Sequence, residues 1–212
     1  NPGSIELINW NPNNFDEIKE SINNSDIVIN LIGILFETRK QKFMKIHCDI
    51  PEAIAKICAK SDVKKFIHVS AIGANSNSKS LPQTEKFIVS DSPYNLRSCY
   101  VEGKRISETL CYQYRKSIDL KIARIFNTYG KNMLIDDGRV ISNFINQALT
   151  DKHLTIYGSG NQTRSFCYVD DLILGLIKLM NSKYNSPLNL GSNDEISIID
   201  LARIILKILN KD

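Results

Sequence analysis

Between Ser98 and Arg105 the chain reads SCYVEGKR, with Tyr100 four residues before Lys104. On a helix this spacing puts both side chains on one face, roughly 5–6 Å apart at Cβ. A free tyrosine titrates at about pH 10. An ammonium beside the phenol favours the phenolate and brings that value down. Such a pair is a general acid/base that can move a proton while a hydride leaves the neighbouring carbon. The spacing by itself also suits two residues that merely share a helix surface.

The elements around the pair follow from hydrophobic period. IELINW (5–10) reads as a short strand, followed by a turn and a helical pattern, and DIVINLIG (26–33) as a strand buried on both faces. FMKIHCDIPEAIAKICAK (43–60) has helical spacing, with Pro51 as an irregularity, and KKFIHVSAIG (64–73) is a further buried strand. The order β-α-β-α-β requires a parallel sheet with helices on its faces. Residues 74–93 are polar and hold two prolines, as a loop does, and 97–117 form a strong helix with Ser98 as its cap. A strand over 120–130 and a helix after the DDGR loop come next, then a short strand, a Gly-rich turn and a second short strand within 153–171. Asp170 or Asp171 caps a helix, SPLNLGS is a short strand, and SIIDLARIILKILN closes the chain as an amphipathic helix. The expected fold is therefore α/β: a Rossmann-type sheet over residues 1–130 and a smaller mixed subdomain over 131–212, with elements returning to the sheet.

Composition narrows the functional classes. With 212 residues the chain can bury a real core, and 42% hydrophobic with 24% charged residues is ordinary for a globular protein. The net charge of +4 comes from scattered lysines, so no nucleic-acid stripe is present. The five cysteines have no metal-ligand spacing and read as reduced thiols of a cytoplasmic protein. The longest apolar run, residues 26–36, is too short to span a bilayer.

The blocks RSCYVEGKRISETLCYQYR, ARIFNTYG, DDGRVISNFINQAL, LTIYGSGNQTRSFCYVDDLILGLIKLM and PLNLGS occur in this order. Over about residues 82–205 they closely resemble the UDP-glucuronate decarboxylases (UDP-xylose synthases). Those enzymes belong to the NAD-dependent epimerase/dehydratase group of extended short-chain dehydrogenases/reductases. The resemblance implies bound NAD, a UDP-sugar substrate and a three-step reaction: oxidation at sugar C4, loss of CO2 and reduction of the ketone. It implies Tyr100 as the base, Lys104 as its partner on the nicotinamide ribose, and Leu31, Gly33 and Thr128 as further cofactor contacts. It makes Tyr114, Asn127, Arg139, Ser142, Asn143 and Arg164 the substrate contacts; a planar guanidinium fork suits a diphosphate. A homodimer through the Tyr100/Lys104 helix is also implied.

The resemblance has gaps. No GxxGxxG turn, which would cradle a pyrophosphate, occurs in the sequence, and Asn1 is expected to stand at the third strand of the fold. An apolar strand edge left unpaired there invites association and low solubility. Ala71 stands where the family has a catalytic hydroxyl, with Ser70 as the available substitute, and Gly73 stands where the decarboxylases have glutamate. Val101 replaces an aspartate and Asn132 an arginine. Up to a seam at 79–82 the chain is instead similar to the atypical branch of the superfamily, which includes the accessory subunit of respiratory complex I. A non-catalytic member that binds NAD(P) or a nucleotide sugar, or an inactive fragment of the same family, is thus the alternative expectation.

Overall fold

The computed structural model describes residues 5–9, 11, 14–34, 37–71, 84–86, 94, 98–135 and 137–211. They fall into two compact units, 1–124 with 177–189, and 125–176 with 190–212.

The first unit is built on a parallel sheet. Helix α1 (Phe15–Ile22) starts at Asn14, whose side chain accepts from Asp16 N, and buries Ile18 and Ile22. Strand β1 (Ile27–Asn30) pairs in parallel with β2 (Lys65–Ala71), Asn30 opposite His68. Between them, a π-helical stretch, Met44–Asp49, runs directly into α2 (Ile50–Cys58). Pro51 explains the change of winding. It has no N–H to give to the carbonyl one α turn back, and the Ile50 N–H bonds instead to Lys45 O, five residues away. The irregularity expected at Pro51 is therefore a π turn on its N-terminal side. Helix α3 (Ser98–Tyr112) begins at Ser98 itself, and β3 (Asp119–Ile125) follows. With β6 (Leu188–Leu190) the sheet order is β1-β2-β3-β6. Its core includes Ile18, Ile50, Ile54, Phe66, Cys111 and Leu120.

A buried lysine and a part-buried arginine fasten this unit. Lys121 is 1% exposed and is satisfied by Asp119 at 2.9 Å, Tyr184 O at 3.0 Å and Asn185 Oδ1 at 2.6 Å. Arg124 grips Glu108 of α3 with Nε at 3.0 and 3.1 Å and Nη2 at 2.7 Å from the two carboxylate oxygens.

The second unit carries a small mixed sheet, β4-β5-β7. Strand β4 (Asn127–Tyr129) runs parallel to β5 (Thr163–Tyr168), and β7 (Glu195–Ser197) runs antiparallel to β5. Helices α4 (Val140–Leu149) and α6 (Ile198–Ile208) enclose a core of Ile141, Phe144, Leu201 and Ile205. Ser197 caps α6 by accepting from Asp200 N. Helix α5 (Val169–Asn181) begins before both aspartates, so Asp170 and Asp171 lie in its first turn and not at the cap position expected for one of them; there carboxylates still complement the helix dipole.

Further local expectations differ from the structure. Residues 5–9 form no strand, and Trp10 lies outside the described residues. Ile5 and Leu7 are about nine-tenths exposed, as expected of a segment with no strand to pair with. No strand forms over 153–157 either, whereas β7, only three residues long, gave no period to read. The 74–93 loop lies mostly outside the described residues, as does Gly73. Strand β1 is an outer strand among those described, with Ile27 and Ile29 exposed.

Glu108→Ala leaves the largely enclosed Arg124 guanidinium without its carboxylate. It should cost about 3–5 kcal/mol in urea unfolding, and Arg124→Met in the same chain should recover most of that loss.

Candidate functional site

The carboxyl ends of β1 and β2 and the first two turns of α3 hold the candidate site of the first unit. In an open parallel sheet this is the end at which ligands bind. Lys104 is its centre. The side chain is only 6% exposed. Its ammonium lies 3.2 Å from the place a Cβ on Gly33 would occupy, and His47 Cε1 lies 3.4 Å from that place. Gly33 is therefore fixed by close approach. Gly103 has a similar role: a Cβ there would meet His47 Cβ at 3.3 Å, so α3 and the π-helical stretch approach closely.

Among the described residues no hydrogen bond or ion pair reaches Lys104 Nζ. Glu108, one turn further along α3, is committed to Arg124. Burial lowers the lysine from its ordinary value of 10.5 to about 8, with Glu108 opposing the shift. The site thus holds a desolvated amine with hydrogen-bonding capacity to spare.

Tyr100 is half-buried one turn before Lys104. Its ring meets His47 edge-on at 5.7 Å and Phe43 at 6.3 Å between centroids. His47 donates Nε2–H to Ile34 O at 3.0 Å and stacks on Phe43. Burial, then the Lys104 charge, pulls its pKa down, so the imidazole is neutral. Ser70, on β2, is 1% exposed, and its hydroxyl has no hydrogen-bond partner among the described residues. A buried polar group left unpaired costs stability and points to a ligand or water that completes it.

The structure brings Gly33, Tyr100 and Lys104 together and places Ser70 at the end of β2. Leu31 stands exposed in the turn before Gly33. It does not bring Tyr114 to the group. That residue follows the end of α3, about 20 Å along the chain from Tyr100 at helical rise, and packs on the core of the first unit. Tyr112 and Lys116 share the four-residue spacing, but α3 ends at Tyr112, so they do not share a helix face.

In the second unit, Thr128, Arg139, Ser142 and Asn143 cluster around Asp137. Arg139 pairs with Asp137 at 2.6 Å and reaches Thr128 O at 3.5 Å. Ser142 Oγ bonds Asp137 and lies 2.9 Å from Arg139 O, and Asn143 donates to Gly138 O at 3.3 Å. Burial would raise the Asp137 carboxyl, but bonds from Ser142 and Arg139 hold it below the usual range. Asn127 Nδ2 donates to Ser165 O at 3.2 Å across the β4–β5 pair. Arg164 is exposed, donates to Thr163 O at 2.7 Å, and has no carboxylate partner among the described residues.

Sequence reasoning missed His47, His68, Asn30 and Asp137. A histidine or asparagine inside an apolar run was the available signal in HCDIPEAI, FIHVS and DIVINLIG.

The comparisons agree with this geometry. The model of the NAD dependent epimerase/dehydratase family matches residues 2–191. UDP-glucuronic acid decarboxylase 1 of Xenopus tropicalis is 52% identical over 130 residues, 60% of this chain and 31% of that protein. UDP-glucuronic acid decarboxylase 6 of Arabidopsis thaliana is 48% identical over 133 residues, 62% of this chain and 39% of that protein. The matched stretches thus span about a third of the curated relatives. UDP-glucuronic acid 4-epimerase from Bacillus cereus, solved with UDP-glucuronic acid and NAD, superimposes with a TM-score of 0.82 at 28% identity, over 96% of this chain and 65% of that one. Among the described residues no helix is long and apolar enough to cross a membrane. With a parallel α/β sheet, a tyrosine–lysine helix at its carboxyl end, and a family model running over nearly the whole sequence, the chain belongs to the NAD dependent epimerase/dehydratase family.

Proposed function

We propose that this chain carries the tyrosine–lysine site of an NAD-dependent UDP-glucuronate decarboxylase, which converts UDP-glucuronate to UDP-xylose and CO2. The observation that carries the reading is Lys104: a buried amine against Gly33, without a counter-ion of its own among the described residues, one helical turn from a tyrosine.

These residues fit the nicotinamide-ribose end of the cofactor. Lys104 has free donors for ribose hydroxyls, Gly33 keeps the space beside it open, and Ser70 has an unused hydroxyl. When bound, NAD would take up and return the hydride at sugar C4. Tyr100 then accepts the proton of the C4 hydroxyl and gives it back at the end. Lys104, one turn away, favours the phenolate while that proton is held. Ser70 can orient the same hydroxyl. The C4 ketone withdraws the electron pair left when the C5 carboxylate departs as CO2.

In the second unit, Arg164 is the residue for the diphosphate, since no carboxylate among the described residues neutralises it. Arg139 serves there only when the anion competes with Asp137. Asn127, Ser142, Asn143 and Thr128 are proposed as polar contacts. A homodimer through α3 has support in the exposed Ile106 and Tyr112. A cytoplasmic location has support in the five free cysteines.

A member that binds nucleotide sugar without turnover is the second reading. Ala71 favours it, because a methyl stands where the resemblance requires a hydroxyl.

The chain, incubated with UDP-glucuronate and NAD, should release CO2 and form UDP-xylose detectable by NMR. Tyr100→Phe should lower that rate by about 10²–10⁴ while leaving UDP binding intact. UDP binding abolished by Arg164→Ala, together with no turnover in the unchanged chain, establishes the second reading instead.

Lys104 also sets a pH dependence. Between about pH 8 and 10.5 the unfolded lysine still holds a proton that the folded one has lost, so stability should rise with pH through that window. Urea unfolding across it should show that rise, at most about 3 kcal/mol, and Lys104→Met should remove it.

A further inference from the structure

We propose that His68 is a positioning residue: bonded to Asn30 on one side and Ser107 on the other, it fixes β1, β2 and α3 so that the Lys104 ammonium is seated against Gly33. The inference takes its functional meaning from Lys104 as the cofactor-holding group, but it is tested on the lysine itself.

The hydrogen-bond directions are determined. Asn30 Oδ1 accepts from Ile32 N at 3.0 Å, so the amide nitrogen is the atom turned to His68 Nδ1, at 3.2 Å. An amide NH2 only donates, so Nδ1 is the unprotonated nitrogen. The proton then sits on Nε2, which donates to Ser107 Oγ at 2.8 Å. Asn30, His68 and Ser107 are 2%, 1% and 1% exposed. Burial, then the Lys104 ammonium, pushes the His68 pKa down to about 3, so the ring keeps this single-proton form.

The placement of the partners gives the chain its role. Ser107 lies three residues after Lys104 on α3, on the adjoining face. Asn30 holds the N–H of Ile32, the residue before Gly33. Both sides of the Gly33–Lys104 contact are therefore tied to one imidazole. The ionisable groups around it are Lys104 and His47, with Glu108 next to Ser107 on α3 and already paired to Arg124. Phe66, at 6.4 Å on the same face of β2, is the apolar neighbour. An apolar side chain could fill this space without needing two partners. The fully matched polar chain buys one register.

The test reads Lys104 by NMR in the full chain, following the ¹³Cε resonance of labelled lysine with pH, assigned by its loss in Lys104→Met. His68→Leu removes both bonds. His68→Asn retains an acceptor for Asn30, and His68→Gln retains a donor for Ser107. The unchanged chain should titrate near 8. His68→Leu should move the midpoint upward by about one pH unit or more, as the loosened helix lets water reach the ammonium. His68→Gln should move it less than His68→Asn. Ser107→Ala should shift it in the native background and add nothing to His68→Asn, the mark of a shared interaction. A midpoint that stays or falls in a folded His68→Leu chain overturns the proposal, because a merely space-filling histidine would cost stability without releasing the lysine. Where His68→Leu fails to fold, an unmoved midpoint in both Ser107→Ala and His68→Gln overturns it equally.

Discussion

A single desolvated ammonium constrains the first unit. Lys104 is held in place because α3 is tied to β3 by the Arg124–Glu108 pair, and Glu108 relieves it only in part, because its carboxylate oxygens are engaged by Arg124. Its neighbours are neutral histidines and a glycine. A buried charge without a partner is among the most expensive features a small domain can carry. Its persistence implies that the surrounding packing over-determines it, and that stability is exchanged there for readiness to bind.

Much of the first unit was legible because a parallel strand buried on both faces announces itself as an apolar run, as KFIHVS does; DIVI was legible as a strand but not as an outer one, since Ile27 and Ile29 are exposed. The Tyr100–Lys104 helix was legible from period and from the resemblance. The histidines were not, since a polar residue in an apolar run has no partner visible along the chain. His68 finds Ser107 only across 39 positions of sequence. The absence of a strand at 5–9 had a similar cause: strand propensity is a preference for a pleated surface beside a neighbour, and nothing described pairs with IELIN.

The second unit shows the converse. Its individual elements are short, and three-residue strands such as β4 and β7 emerge only from pairing with β5. Yet the polar residues singled out by resemblance do gather, around a carboxylate that was not singled out. Asp137 holds Arg139 and Ser142 in advance of any ligand, which preorganises them and also gives an incoming anion a competitor. Arg164 meets no such competitor among the described residues.

The π-helical stretch before Pro51 fixes the length of the chain as firmly as its composition. A five-residue hydrogen bond accommodates one residue more than an α turn would. Loss of any single residue from Met44–Asp49 would let the turn close as an ordinary α-helix. It would also rotate the face upstream of the deletion by about 100°. If the lost residue lay between His47 and Pro51, His47 would swing away from Tyr100, and Phe43 would go with it. Insertions and deletions are thus excluded from these six residues. Residues 37–42 are exposed and lie outside this helix, so a change of length there leaves the helical register intact.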